Sequence, residues 1–279
     1  MNRFSIPEGN YVDIGELAGF PQRVHYHEQG TGEAVIFLHG AGTGASGYSN
    51  FKGNYPAFAA AGYRCIIPDL LGYGLSSKTE APQQYDLDFF IAGVKGLVDK
   101  LGLKNITLLG NSLGGAVALG YALAYPQDVK NLILMAPGGV EDLDTYLAMP
   151  GIANMFAVYQ SGKTGKEAMR AVMSMQLVDQ SLLTEEIINE REPIAQTQTQ
   201  ASRSVLVVPN MTARLPQLQC NVLGFWGIQD AFNPVSGADK LAQGIARCRV
   251  VLVNQCGHWV QVEHRDMFNR TCIDFLNNG

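Results

Sequence analysis

The hydrophobic pattern along the chain alternates between short apolar runs and longer amphipathic stretches. The short runs are rich in β-branched residues, as is typical of buried strands. The stretches between them repeat apolar positions at helical spacing. This alternation predicts an α/β fold with a mostly parallel sheet flanked by helices. The predicted strands are Arg23–His27, taken as the start of an early hairpin, Ala34–Leu38, Arg64–Ile67, Ile106–Leu109, Leu132–Met135, Val222–Trp226 and Arg249–Val253.

Two helices are predicted between the central strands. Asp88 can cap a helix whose apolar positions recur as far as Leu101. A second helix, Leu113–Ala124, follows its strand after a very short step at Ser112 and stops before Pro126. The step at Ser112 therefore predicts a sharp turn between a buried strand and a helix.

The segment 137–209 differs from the rest of the chain. Strand patterns stop, methionines cluster, and Thr184 precedes acidic residues as a helix N-cap would. We expect a helical lid here, inserted into an α/β core formed by residues 1–136 and 210–279. A lid admits substrate to a pocket and excludes water. The methionines are expected to fill gaps in the core, with a ligand-contacting surface as the alternative, and Gln196–Gln200 to form a solvated helix face.

Composition and charge narrow the classes of partner. Of the 279 residues, 47% are hydrophobic and 16% charged, which predicts a folded globular protein rather than a disordered one. The net charge of -5 offers no basic stripe for nucleic acid or an anionic membrane. No apolar run suits a membrane span, and the first residues lack the apolar core of a signal peptide. We therefore expect a cytoplasmic protein whose partner is a small molecule.

The cysteines and known motifs argue against a bound metal or cofactor. The five cysteines are an odd number without a CxxC pair, so we expect reduced thiols packed in the core. Cys256 lies close to His258 and has a catalytic or metal thiol as its less favoured interpretation. Because H-E-x-x-H, Walker A and dinucleotide-binding glycine patterns are missing from the sequence, we expect no metal and no cofactor.

The strongest local motif is Gly110-Asn111-Ser112-Leu113-Gly114, a G-x-S-x-G sequence between a strand and a helix. A serine on such a turn projects its hydroxyl at the edge of the sheet, and small flanking residues prevent clashes. The bland alternative is a loop serine that caps a helix. The strand–turn–helix context favours Ser112 as a nucleophile.

A serine nucleophile requires a base, and the base requires an acid that orients it. His258 follows the strand Arg249–Val253 at the edge where loops converge, which makes it the best candidate base. Asp230 lies after the preceding strand and is the candidate acid. The other histidines lie in the early hairpin, before a glycine-rich turn or at a helix start: His25, His27, His39 and His264.

Backbone amides are the candidates for an oxyanion hole. The residues after His39 are small and follow a strand, so their N–H groups can approach a substrate oxygen. We assign the hole to the amides of Leu113 and Ala41, with Gly42 as the nearest substitute. A tight structural loop or a phosphate cradle is the alternative interpretation.

Taken together, these segments resemble the α/β-hydrolase superfamily and, within it, the meta-cleavage product hydrolases. Those enzymes cut a carbon–carbon bond in the 2-hydroxy-6-oxo-dienoates made by aromatic ring cleavage. The resemblance implies an α/β-hydrolase fold, the chain order Ser112, Asp230, His258 for the triad, and a site that holds the dienoate end of the substrate. It covers nearly the whole chain, and its most specific segments are 39–51, 110–115, 135–139 and 255–268. The positions that match the family's dienoate-binding residues are Asn50, Asn111, Arg191 and Trp259.

The resemblance implies a reaction without a cofactor: ketonisation of the dienoate, attack by Ser112 on the distant ketone, and hydrolysis by water. A carboxylesterase using the same triad stays open, because fold and triad do not select the acyl group. A ligand-binding protein derived from a hydrolase is the second alternative, which the complete triad disfavours. The family also leaves a homo-oligomer open.

Overall fold

A computed structural model describes residues 6–79, 85–199, 201 and 208–278. Its centre is a sheet of eight strands. Successive residues of the central strands enter two different apolar clusters, so both faces of the sheet are covered. The strands are β1 Asn10–Leu17, β2 Phe20–Gln29, β3 Ala34–Leu38, β4 Arg64–Pro68, β5 Ile106–Asn111, β6 Val129–Met135, β7 Asn221–Gly227 and β8 Cys248–Val253.

The sheet has the order β1-β2-β4-β3-β5-β6-β7-β8. Strands β3 to β8 pair in parallel, whereas β1 pairs with β2, and β2 with β4, in antiparallel fashion. The predicted α/β class with a mostly parallel sheet is therefore confirmed.

The prediction that the hairpin begins at Arg23–His27 was wrong. These residues lie within β2, which is the second strand of the hairpin. The turn is at Ala18 and Gly19, both with positive φ, and β1 escaped prediction because its residues are exposed or half-buried.

Eleven α-helices accompany the sheet in the described residues. The helix after β4 begins at Leu87, and Asp86 caps it by accepting the Phe89 N–H at 2.8 Å. The prediction of Asp88 as the cap was therefore wrong, since Asp88 lies inside the first turn. The helices are α1 Gly47–Phe51, α2 Tyr55–Ala60, α3 Leu87–Lys100, α4 Leu113–Ala124, α5 Leu143–Leu147, α6 Pro150–Gln160, α7 Gly165–Ser174, α8 Glu185–Thr197, α9 Ser236–Gly244, α10 Val260–Glu263 and α11 Arg265–Asn278.

Between β6 and β7 the described residues form helices and no strand. Thr184 caps α8 through its hydroxyl, which accepts the Ile187 N–H as the sequence predicted. Met169 and Met173 are buried beside Trp259, so these two methionines fill an apolar core. Helices α7 and α8 thus pack against Trp259, which follows β8 at the carboxyl edge of the sheet.

The cysteines are packed as expected. Four are buried, and Cys248 is half-buried. Burial raises the pKa of Cys220 to about 11 and that of Cys256 further, so neither thiol is activated at neutral pH. Cys256 therefore fits the packing interpretation. No helix in the described ranges is both apolar enough and long enough to cross a membrane.

Candidate active site

Ser112 lies in a sharp turn between β5 and α4. Its φ of 53° and ψ of -114° form a conformation that non-glycine residues rarely adopt. A Cβ atom at Gly110 would overlap the carbonyl oxygen of Gly114, and one at Gly114 would overlap that of Leu38. Glycine is therefore needed at both flanks, and the tight turn presents Ser112 to a cavity.

His258 and Asp230 come from the loops after β8 and β7 and form a buried pair. The His258 Nδ1 to Asp230 Oδ2 distance is 2.7 Å, and the side chains are 5% and 1% exposed. The other carboxylate oxygen of Asp230 accepts the N–H groups of Phe232 and Asn233 at 2.8 and 3.0 Å. These bonds fix the carboxylate and, through it, the imidazole ring, whose free edge lines the same cavity as Ser112.

His39 holds the loop after β3 through two hydrogen bonds of its ring. Its Nδ1 donates to the Gly40 carbonyl oxygen at 2.8 Å, and its Nε2 accepts the Leu70 N–H at 3.0 Å. Burial lowers the pKa of His39, so the ring is neutral with its proton on Nδ1. Because C=O and N–H point in opposite directions across a trans peptide, fixing Gly40 O also fixes the direction of the Ala41 N–H.

A cavity of about 420 Å³ joins these groups. It is lined by Ser112, His258 and the three residues predicted for the oxyanion hole: Ala41, Gly42 and Leu113. The rest of the lining is mostly apolar, and much of it comes from the helices between β6 and β7. Its residues there are Leu143, Tyr146, Leu147, Ile152, Met155, Phe156 and Val172.

The four residues predicted to bind the dienoate lie beside the cavity but do not form its wall. The Arg191 guanidinium lies 5.1 Å from the centre of the Trp259 ring, and Nη2 donates to Ser49 O at 3.4 Å. Asn50 belongs to the short helix α1, as does Ser49, and its Nδ2 donates to the carbonyl oxygen of the N-cap residue Ser46 at 2.9 Å. Asn111 Nδ2 donates to His258 O at 3.3 Å. These contacts tie the predicted dienoate residues to both α1 and the histidine loop.

The electrostatics of Arg191 are unusual. Its side chain is 3% exposed, and burial lowers its pKa to about 10, so it keeps its charge at neutral pH. Within the described residues no carboxylate forms an ion pair with it, and its Nε has no hydrogen-bond partner. Glu190, which pairs with Lys52, attracts Arg191 only from beyond ion-pair distance, and a buried cation without an ion-pair partner is costly. The site would therefore gain stability from an anion.

Comparison with known proteins places this arrangement in a family. The alpha/beta hydrolase fold family matches residues 33–265. The chain belongs to the α/β-hydrolase family. The predicted resemblance to meta-cleavage product hydrolases is confirmed by relatives that span almost its full length.

Three relatives show the likeness of this α/β-hydrolase. It is 39% identical over 284 residues to a 2-hydroxy-6-oxo-6-phenylhexa-2,4-dienoate hydrolase of Comamonas testosteroni, covering 97% of this chain and 98% of the relative. It is 37% identical over 278 residues to a 2-hydroxy-6-oxononadienedioate/2-hydroxy-6-oxononatrienedioate hydrolase of the same species, covering 96% of each. The structure of a meta-cleavage product hydrolase from Pseudomonas fluorescens IP01 superposes with a TM-score of 0.82 at 26% identity, covering 98% of both chains.

Two polar residues of this hydrolase were missed or misplaced by sequence reasoning. Gln198 was expected on a solvated face, and this was wrong: it is 7% exposed and hydrogen-bonds to the loop after β3. Gln200 lies outside the described residues. Glu263 accepts N–H groups from Gly257 and from the segment 178–179. Neither role left a local signal, because Gln198 and most of the Glu263 contacts depend on partners distant in the chain.

Proposed function

We propose that the chain is a serine hydrolase that cleaves a carbon–carbon bond in 2-hydroxy-6-oxo-dienoates, acting on a small molecule without a cofactor. The observation that carries the proposal is Arg191, a buried cation that forms no ion pair among the described residues. It lies next to a cavity lined by Ser112 and by His258, which is paired with Asp230. The names and similarity of the relatives support the same substrate class. We also propose that residues 1–136 and 210–279 form the core and residues 137–209 the lid. The protein is proposed to act in the cytoplasm.

In this proposal Arg191 and Asn50 bind the carboxylate of the substrate. A guanidinium group matches a carboxylate in shape and charge. Arg191 and Trp259 do not line the cavity, so we propose that the site rearranges on binding to bring the dienoate end to them. Asn111 adds a buried amide oxygen without a partner, which can accept a hydrogen bond from the substrate's hydroxyl group.

The proposed reaction has the two stages that the family resemblance implies. The bound dienol first ketonises, with His258 moving a proton to carbon 5. Ser112 Oγ, deprotonated by His258, then adds to the carbon 6 ketone, and the amides of Leu113 and Ala41 stabilise the oxyanion. When the C5–C6 bond breaks, its electron pair returns to the five-carbon fragment. The oxygen on carbon 2 of that fragment takes the proton held by His258, so the fragment leaves as a 2-hydroxy-dienoate and His258 is again a neutral base. Water, activated by His258, hydrolyses the acyl-serine and releases a carboxylic acid.

The cavity also favours one kind of ketone substituent. The relatives are named for substrates that carry either a phenyl group or a second carboxylate. In the described structure the apolar wall of the cavity is built of side chains such as Leu147, Ile152, Met155 and Phe156. A carboxylate buried against these side chains would lose its hydrating water and gain no hydrogen bonds in return. We therefore propose an apolar or aromatic substituent.

The test is spectrophotometric. The purified protein is mixed with yellow 2-hydroxy-6-oxo-dienoates that carry methyl, phenyl or carboxyethyl ketone substituents, and separately with p-nitrophenyl esters. Rapid bleaching of the phenyl substrate, lost in Ser112→Ala, is the expected result. Arg191→Gln should raise KM for the dienoates and leave ester cleavage nearly unchanged. Ester cleavage alone would assign the protein to the carboxylesterases instead, and binding without turnover would contradict both activities.

A further inference from the structure

Gln198 connects the lid to the loop that carries the predicted oxyanion amides. It directly follows α8, and both ends of its side-chain amide are hydrogen-bonded to that loop. Gly44 N–H donates to Gln198 Oε1 at 2.8 Å, and Gln198 Nε2 donates to Gly42 O at 3.1 Å. Gln198 is buried and also lines the cavity. One side chain therefore spans the two peptides on either side of Thr43.

The loop needs such support because its own backbone does little to restrain it. Gly42 and Gly44 have φ values of 143° and 70°, in the region that favours glycine. Glycine-rich segments have many accessible conformations, and only fixed contacts select one of them. Within the loop, Ala45 N–H donates to Gly42 O at 3.2 Å. The Gln198 amide adds two hydrogen bonds from outside the loop, one to the N–H of Gly44 and one to the carbonyl oxygen of Gly42.

The predicted oxyanion donor therefore lies between two supports. On one side His39 fixes Gly40 O, and on the other Gln198 fixes Gly42 O. Ala41 is the residue between them. Oxyanion stabilisation depends on donors that are already aimed at the developing charge, and misplacement by about 1 Å can cost roughly a hundredfold in rate. Loss of either support would release the Ala41 amide.

The two supports differ in origin. His39 belongs to the core, whereas Gln198 belongs to the end of the lid helix α8. The same helix contacts the loop again, because a Cβ at Gly44 would overlap the backbone oxygen of Arg191. We propose that Gln198 is a positioning residue that holds the oxyanion loop in its reactive shape and makes catalysis depend on the seating of α8.

This inference rests on the proposed role of Ser112, and its test separates the two. Gln198→Leu removes both hydrogen bonds. Gln198→Glu keeps the shape and the acceptor for Gly44 N–H, but an ionised carboxylate cannot donate to Gly42 O. Gln196→Leu, an exposed position on the same helix, is the matched control. Thermal unfolding shows whether each variant is folded. If Gln198→Leu does not fold, Gln198→Glu alone tests the proposal.

Turnover is measured on a dienoate and on p-nitrophenyl acetate, and dienoate affinity is measured in the Ser112→Ala background. We expect kcat to fall about 10- to 100-fold in both Gln198 variants, with dienoate Kd within about threefold of the parent and the control unchanged. The activity of Gln198→Glu relative to wild type should rise as pH falls from 8 to 5.5, because protonation restores a donor to Gly42 O.

Unchanged kcat in both variants would overturn the proposal. A rise in KM and Kd without loss of kcat would also overturn it, since Gln198 would then bind substrate only. Because ester hydrolysis uses the same oxyanion hole, the ester measurements decide the role of Gln198 even if no dienoate is cleaved. Failure of the proposed function and failure of the inference are therefore distinguishable.

Discussion

Ser112 is the residue at which chemistry and backbone strain coincide. Its positive φ costs free energy in any residue with a Cβ, and glycine relieves most of that cost. We predict that Ser112→Gly is more stable than Ser112→Ala by about 1 kcal/mol, measured by urea unfolding. At Ser174, the last residue of helix α7, the order should reverse, because alanine suits a helix better. Equal stability of the two Ser112 variants would contradict the strain.

A second residue-scale prediction concerns His39. Burial lowers the pKa of this ring in the folded protein. On acidification the unfolded chain therefore binds a proton at His39 at a higher pH than the folded protein does. The folded-state pKa lies below the unfolded value of about 6.5, so stability is full above that pH and is lost below it. The pKa of His27 is lowered in the same way and contributes similarly.

His39→Gln removes one of these two titrations. Between pH 6 and 5 the free energy of unfolding of the variant should change less steeply than that of wild type, by up to about 1.4 kcal/mol per pH unit. Urea unfolding at several pH values measures both slopes. Parallel slopes would show that His39 takes up a proton as readily in the folded protein as in the unfolded chain.

At the scale of elements, the lid is joined to the histidine loop through Glu263 of helix α10. Its carboxylate accepts the Gly257 N–H at 2.6 Å and the N–H groups of Val178 and Asp179 at 2.6 and 2.9 Å. His258 N–H also donates to Gln176 O at 2.8 Å. The segment 176–179 and the loop that carries the base are thus one connected unit.

Glu263→Ala should uncouple that unit. We predict a loss of about 2 kcal/mol in unfolding free energy, because hydrogen bonds to a charged group are lost and their donors are left unpaired. Turnover should fall as well, since His258 loses support. Glu16→Ala, in an exposed part of β1, is the control and should stay within about 0.5 kcal/mol of wild type. A Glu263 variant as stable as that control would show that the three bonds add nothing.

Elements with a strong periodic signal were predictable, and elements stabilised by their partners were not. Strands such as Ala34–Leu38 are buried on both faces, so their apolar runs identify them. Strand β1 has no such run, because it lies at the edge of the sheet. Ser112 and His258 could be paired because parallel strands present their carboxyl ends at one edge. Gln198 could not be placed, since its partners lie more than 150 residues away.

On the scale of the whole molecule, the chemistry and the choice of substrate come from different layers. The sheet and its loops supply Ser112, His258 and the oxyanion amides, whereas α5, α6 and α7 supply much of the apolar wall of the cavity. A change in that wall should therefore alter the preferred ketone substituent and leave the reaction at Ser112 intact. Val172 tests this division, because it is half-buried on α7 and lines the cavity.

Val172→Arg places a cation in the wall of the cavity that holds Ser112. We predict that the ratio of kcat/KM for the carboxyethyl substrate to that for the phenyl substrate rises at least tenfold, about 1.4 kcal/mol, because the second carboxylate gains a partner. Cleavage of p-nitrophenyl acetate, which has no such group, should change little. The control is Ala171→Arg, one residue away and outside the cavity wall. A ratio that moves equally in both variants would mean that net charge, rather than the wall of the cavity, governs the choice of substrate.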